Sequence, residues 1–352
     1  MTKITVVIPN YQGIKFIEEC LGSLYAQEEG TPEYEVLVVD NASKDGSVEV
    51  IREKFPKTRL ICLEENTGFC HAVNVGIQNS ESPYVLLLNN DTKVFPDFIR
   101  QLYAAIEPGD EANETDKANE TGEATETARG EQGKEAREHR IFSVSAAMLA
   151  WDKPELMDDA GDFYTIFGWA MARGKRKPYA KYQRRAKVFS ACGGAALYRR
   201  SVLEEIGLFD ENHFAYLEDL DLGYRARIHG YENIYAPAAR VIHYGSASTG
   251  SRYNAWKTRR AAANSIYVIH KNMPILQKLI NLPFLLLGFL IKFLFFVKKG
   301  MGVLYLKGLW DGCRLSFGVA GRKNKVRFRV RNLWNYLKIE GWLFYGIVVN
   351  CR

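Results

Sequence analysis

The chain has 352 residues, 47% of them hydrophobic and 25% charged. That composition excludes a disordered protein, and the length suffices for one large α/β domain with an appendage or for two ordinary domains. The net charge of +6 hides an asymmetry: residues 107–140 hold 11 Asp/Glu against 5 Lys/Arg, whereas residues 257–352 hold 18 Lys/Arg against 2 Asp/Glu, so the C-terminal region calls for an anionic partner, nucleic acid or anionic lipid. Ile4–Pro9 reads as a buried strand ended by Pro9-Asn10, and the chain enters it without the basic start and apolar stretch of a secretory signal. Apolar residues at helical spacing over Phe16–Ala26 predict a helix. Glu35–Asp40 is a second strand, apolar along its length as a strand covered on both faces should be. Ser47–Phe55 reads as a helix, Arg59–Leu63 as a short strand, Phe69–Asn79 as a helix and Tyr84–Leu88 as a strand.

Alternating strands and helices predict a largely parallel, doubly wound sheet. Such sheets bind ligands beyond the carboxyl ends of their strands. Those ends carry Pro9-Asn10, Asp40-Asn41 and Asn89-Asn90-Asp91, which therefore converge on one crevice. Residues 108–140 contain no apolar side chain larger than Ala and are expected to form a solvated, disordered insert. Strand character returns at 141–150. Residues 173–187 carry eight basic residues and no acidic one, either as a solvated loop or as a clamp for a phosphorylated acceptor. Beyond residue 257 the chain is basic and aromatic-rich. Leu282–Val297 holds one charge, Lys292, and is short for a full span. Its Lys, Arg, Trp and Tyr flanks favour a helix lying in the headgroup region. The six cysteines form no CxxC pair or zinc pattern and are expected to be free thiols.

Three constellations carry chemistry. Asp91, at a strand end, offers the hard oxygen ligand that magnesium or manganese prefers, although Asn and Asp also favour plain turns. Asp40 can accept from a base N–H, while Ser43 to Ser47 cap the next helix. Glu218, Asp219 and Asp221 place three carboxylates in four residues beside Phe214 and Tyr216. Like charges raise one another's pKa, which suits a general base, and an acidic helix N-terminus accounts for the same residues structurally. His243 ends an apolar run, where it could ligate a metal or contact phosphate.

The segments Val6–Gly13, Val38–Ser47, Glu65–Ile77, Leu86–Thr92, Cys192–Phe214 and Tyr216–Tyr231 together resemble the family-2 inverting glycosyltransferases, especially their bacterial rhamnosyltransferase-like branch. The resemblance spans about residues 3–250. It implies a GT-A fold, a Rossmann-like nucleotide-diphospho-sugar transferase with a mostly parallel central sheet flanked by helices. Residues 1–256 would form the catalytic domain and 257–352 a helical, membrane-associated region. It also implies roles. Pro9, Asn10, Tyr11, Asp40, Asn66, Gly68, Asn89 and Asn90 would bind the nucleotide sugar. Asp91 and His243 would hold Mg²⁺ or Mn²⁺, with Asn89 standing where the family has the first Asp of its DxD element. Asp219, beside Glu218, would be the base, and Gly193 and Gly194 would shape the acceptor side. The implied reaction is rhamnosyl transfer from dTDP-rhamnose to a polyprenyl-pyrophosphate-linked saccharide, in cell-surface polysaccharide synthesis at the cytoplasmic face of the membrane. Transfer from another UDP- or GDP-sugar, and a non-catalytic lipid- or nucleic-acid-binding role, are the alternatives. An oxidoreductase is disfavoured because Pro9-Asn10-Tyr11-Gln12-Gly13 lacks the GxGxxG turn. Nucleic acid is disfavoured because Leu282–Val297 suits lipid better.

Overall fold

The computed structural model describes residues 2–107, 140–245 and 254–351. The insert expected at 108–140 thus lies outside the described residues, Arg140 excepted. The first half is built as the sequence pattern requires: β1 (Ile4–Asn10), α1 (Ile17–Tyr25), β2 (Tyr34–Asp40), α2 (Ser47–Lys54), β3 (Arg59–Cys62), α3 (Phe69–Gln78), β4 (Tyr84–Leu88), β5 (Thr92–Val94) and α4 (Phe98–Ile106). There follow β6 (Ile141–Ala150), β7 (Lys153–Asp159), β8 (Asp162–Tyr164), β9 (Ala170–Ala172), β10 (Ala186–Val188), β11 (Ala195–Arg199), α5 (Arg200–Ile206), α6 (Glu218–Ile228) and β12 (Glu232–His243). The C-terminal region is helical, with α7 (Ala255–Asn272), α8 (Ile275–Lys298), α9 (Gly302–Phe317), α10 (Val319–Lys323) and α11 (Leu333–Cys351).

The main sheet runs β10-β12-β6-β11-β4-β1-β2-β3, with β5 beside β12 and β7 beside β6. Strands β3, β2, β1 and β4 are parallel. β11 runs against both β4 and β6, and β12 is parallel to β6. Both faces of the parallel part are covered, which is why its strands read as unbroken apolar runs. Ile4, Val6 and Ile8 pack with α1 and α4, while Val7 packs with α3, α5 and α6. The C-terminal helices share a core with the rest of the chain: Leu220, Tyr224 and Ile228 of α6 pack with Val268 of α7, Met273 just after it, Leu285 of α8, and Ile339 and Leu343 of α11. Cys20, Cys62, Cys70, Cys192 and Cys313 are free thiols.

Candidate active site

The crevice forms where β1, β2 and β4 end. Parallel register sets Asn10 beside Asp40. Asn10 is fully buried and donates through Nδ2 to Asp40 Oδ1 at 2.7 Å and Ser47 Oγ at 2.9 Å. Its own Oδ1 accepts from Asn90 Nδ2 at 2.7 Å. Asp40 Oδ2 accepts from the Ser43 N–H at 2.9 Å. The carboxylate thus organises the loop ends, and a base N–H would reach its remaining lone pairs. The loop after β1 is tied to the loop after β2, because the Ile14 N–H donates to Asp45 at 2.8 Å. Burial works against ionisation of Asp45, but hydrogen bonds from Ile14 and Ser47 outweigh it and hold the carboxyl below its ordinary range. Tyr11 is 39% exposed at the mouth, a free aromatic face for a nucleobase.

Asn41, which the sequence reading did not assign, stitches the next loop in place. Its Nδ2 donates to Asn66 Oδ1 and Gly68 O, and its Oδ1 accepts from the Thr67 N–H. Gly68 has φ of 91°, a conformation that favours glycine. A Cβ there would stand 2.6 Å from the Phe214 ring, so this loop meets the loop before Glu218 by direct contact.

Asp91 follows β4 and is 6% exposed. His243 closes β12, whose pairing with β5 carries it back to the same place. Its Nε2 lies 3.4 Å from Asp91 Oδ1, and its Nδ1 lies 2.9 Å from Asp158 Oδ2. Burial alone would lower the imidazole, but hydrogen bonds to Asp158 and Asp91 outweigh it and raise the ring to about 9. Burial likewise opposes ionisation of Asp158, yet His243 and Lys175 bring it down to about 2. A carboxylate behind a histidine and a second carboxylate in front of it form the usual donor set of a carboxylate–histidine–metal site. Asp91 and His243 therefore fit a divalent cation. Asp158 was missed by sequence reasoning, although Met157-Asp158-Asp159-Ala160-Gly161-Asp162 carries three carboxylates close together. Asp159, Asp162 and Cys192 bring ligand atoms within 4.8 Å of one another. Burial, reinforced by Asp158, pushes Asp159 up to about 7.

The two sides of the crevice meet at β4 and β11. The Asn89 N–H donates to Gly194 O at 2.9 Å, and the Gly193 N–H donates to Asp219 Oδ2 at 3.0 Å. An unbroken path of neighbours thus links Asp91 to Asp219. Asp219 Oδ1 also accepts from the Leu220 N–H at 2.7 Å. Burial raises the Asp219 carboxyl despite these bonds. Glu218 is 8% exposed, and burial together with Asp219 pushes it up to about 8. Its Oε2 has no partner among the described residues. Asp221 does not join them: it is fully buried with Lys271 at 2.7 Å and Arg225 at 3.0 Å, and those cations hold its carboxyl low against the cost of burial. The basic run 173–187 is partly neutralised, since Lys175, Arg176 and Lys187 pair with Asp158, Asp152 and Glu232.

The loop before Glu218 is strained. Phe214, Tyr216 and Leu217 have φ of 61°, 71° and 65°. Asn264 of α7 holds it: its Nδ2 donates to the carbonyls of His213, Ala215 and Tyr216 at 3.0, 2.9 and 2.7 Å. Nothing in the local sequence announces this contact, which reaches across from the C-terminal region.

The family profile described as glycosyl transferase family 2 matches residues 5–207, and that of glycosyl transferase family group 2 matches residues 173–313. N-acetylglucosaminyl-diphospho-decaprenol L-rhamnosyltransferase of Mycobacterium tuberculosis is 27% identical over 260 residues, 70% of this chain and 78% of that protein. Poly(ribitol-phosphate) beta-N-acetylglucosaminyltransferase TarS of Staphylococcus aureus is 31% identical over 110 residues, 30% of this chain and 19% of that protein. The structure of GalNAc-T7 with UDP, GalNAc and Mn²⁺ matches in fold with a TM-score of 0.56 at 14% identity, over 76% of this chain and 48% of that one.

Proposed function

The chain belongs to glycosyl transferase family 2, and from that premise we propose that it transfers rhamnose from dTDP-rhamnose, with inversion, to a polyprenyl-pyrophosphate-linked saccharide. The observation that carries the mechanism is the run of contacts from Asp91 through Asn89, Gly194 and Gly193 to Asp219. It supports the reading by linking Asp91, the carboxylate proposed to hold a cation, to Asp219, whose carboxyl is raised by burial. The name of the Mycobacterium tuberculosis relative supports the sugar and the lipid-linked acceptor.

In this reading Tyr11 and Pro9 cover the nucleobase, and Asp40, Asn66 and Gly68 frame the nucleoside. Asn89 and Asn90 border the diphosphate, and Asp91 and His243 would hold Mg²⁺ or Mn²⁺. A divalent cation held there neutralises charge on the diphosphate as it leaves. Asp219, held by the Gly193 N–H, accepts the proton of the acceptor hydroxyl. The hydroxyl oxygen forms its bond to the anomeric carbon from the face opposite the diphosphate, whose C–O bond breaks, so the configuration inverts. Glu218, which burial and the neighbouring Asp219 push up to about 8, keeps its own proton near neutrality. Gly193 and Gly194 are buried where a Cβ would meet Asp219 at 3.4 Å and Met148 at 2.9 Å, so their lack of side chains lets the start of β11 pack close behind the acceptor side. We read the enzyme as working at the cytoplasmic face of a membrane, in cell-surface polysaccharide synthesis, a reading supported by the lipid-linked substrate in the name of the Mycobacterium tuberculosis relative.

The test is a titration of dTDP, UDP and GDP, each with and without Mg²⁺ or Mn²⁺, against the wild type and Asp91→Ala. The expected result is cation-dependent binding of dTDP that Asp91→Ala abolishes. Selection of UDP or GDP instead would replace the donor, and no binding of any nucleotide would overturn the reading.

A further inference from the structure

Helix α8 is fastened along one edge and bare along the rest. By length and composition it could cross a membrane. Its inward residues are Gln277, Asn281, Leu285 and Gly288, a single helical stripe. Gln277 and Asn281 donate to the same Glu340 oxygen of α11 at 2.7 and 3.0 Å. The Trp169 indole donates to Gly288 O at 3.2 Å, and Lys292 Nζ stands 5.9 Å from the Trp169 ring centre. The fastened stretch, residues 277–292, is about 22 Å long at the helical rise. The body of the enzyme therefore lies alongside most of the helix. Were α8 to cross a bilayer in this pose, the polar surface beside it would enter hydrocarbon, where unpaired backbone and side-chain groups are strongly disfavoured.

The outward face is apolar and continuous over three helices. Leu276, Leu279, Leu286 and Leu294 are 57–65% exposed. Phe284 meets Phe344 of α11 with ring centres 6.1 Å apart, and Phe296 stacks on Tyr305 of α9 at 5.0 Å. Trp310 of α9 is 66% exposed. Charge selects the occupant. Of the two carboxylates of residues 257–352, Glu340 accepts from Gln277 and Asn281, and Asp311 is paired with Arg259 at the surface. Lys298 and Lys299 end α8, and Lys325, Arg327, Arg329 and Arg331 follow α10 as exposed cations. An apolar sheet of side chains in a region of 18 basic residues, whose one surface carboxylate is neutralised by Arg259, complements an anionic lipid bilayer.

We propose that α8, α9 and α11 form a monotopic docking face on which α8 lies in the plane of an anionic bilayer rather than crossing it. This deepens the membrane-bound reading above and rests on it for the surface concerned. Its test uses neither donor nor acceptor, so it fails or succeeds separately from the donor titration. The full chain is floated with vesicles of phosphatidylcholine alone and of phosphatidylcholine with phosphatidylglycerol, and tryptophan fluorescence is read with lipids brominated near the headgroups or near the bilayer centre. Binding is expected to favour the anionic vesicles by about tenfold or more, with stronger quenching from the shallow bromines. Leu286→Glu with Leu290→Glu, both at exposed positions, should cut binding about tenfold while leaving the circular-dichroism spectrum unchanged. Stronger quenching at the bilayer centre would show a span and overturn the proposal. So would equal binding to neutral vesicles, or a soluble dimer that the double variant dissolves without any vesicle binding.

Discussion

Replacing Asn264 by Ala tests whether the C-terminal helices take part in catalysis or merely anchor the enzyme. The two Nδ2 protons of Asn264 serve three carbonyls, those of His213, Ala215 and Tyr216. The His213 carbonyl keeps a second donor, the Ala215 N–H at 2.7 Å. Ala215 and Tyr216 are half-buried, so water reaches them in part, and the combined cost to stability sits near ~2 kcal/mol, within the ~1–3 kcal/mol of an unpaired buried group. The same tether holds three non-glycine residues in left-handed conformations that cost on the order of 1 kcal/mol or more each. Released, this loop relaxes and carries Glu218 and Asp219 away from Gly193. At ~1.4 kcal/mol per factor of ten, a partial loss of base placement lowers kcat by about tenfold to a hundredfold, with nucleotide affinity unchanged. The assay is single-turnover transfer at saturating donor, paired with denaturant unfolding and nucleotide titration. Asn264→Asp, which keeps the shape but turns the donor into an acceptor, should lower kcat at least as far. If Asn264→Ala loses the expected stability while kcat per folded molecule stays at the wild-type value, other contacts set the loop and the reasoning is wrong.

Lys271 bridges Asp210 at 2.8 Å and Asp221 at 2.7 Å while only 4% exposed. Lys271→Met strands two buried carboxylates and should cost about 3–5 kcal/mol in urea unfolding at neutral pH. Burial opposes ionisation of Asp210, but Lys271 holds it at about 2 against an ordinary value of 3.8. This stabilisation is therefore full above the ordinary carboxylate range and is lost as pH falls toward about 2. An unfolding curve as acid-sensitive in the variant as in the wild type would contradict the assignment. Glu218 behaves in the opposite sense. Its folded value of about 8 exceeds the 4.5 of an open carboxyl, so stability declines as pH rises between those two values. Glu218→Gln should flatten that decline, and an unaltered slope would show that the strain lies elsewhere.

The strands and helices of the first half were legible because the central strands are covered on both faces and the helices are apolar on one. Ile4–Asn10, Glu35–Asp40 and Tyr84–Leu88 accordingly show their burial as composition. The convergence of Asn10, Asp40 and Asn89-Asn90-Asp91 followed from strand ends alone. The partners of those residues were not legible, for they depend on which strand lies next to which. His243 meets Asp158 only because β12 and β7 both flank β6. Asp221 looked like a third member of an acidic catalytic cluster, and only Lys271 and Arg225, brought in by the packing of α6, show it to be a structural ion pair. Asn264 sits in a helix whose local sequence is ordinary, and its importance comes from the backbone it faces. The apolar run Leu282–Val297 was visible, but the Gln277–Asn281–Glu340 stripe that lays α8 along the body needed the fold.

The antiparallel course of β11 beside β4 has an evolutionary consequence. A loop that follows one strand and a loop that precedes the other arrive at a single rim, yet they belong to distant stretches of the gene. The seam between them is a backbone bond, Asn89 N–H to Gly194 O, and a backbone bond asks nothing of the side chains on either side. Selection can therefore redraw one rim without a compensating change in the other. If the two rims serve donor and acceptor as proposed, a lineage built on this scaffold is free to keep the sugar it gives and change the one that receives it.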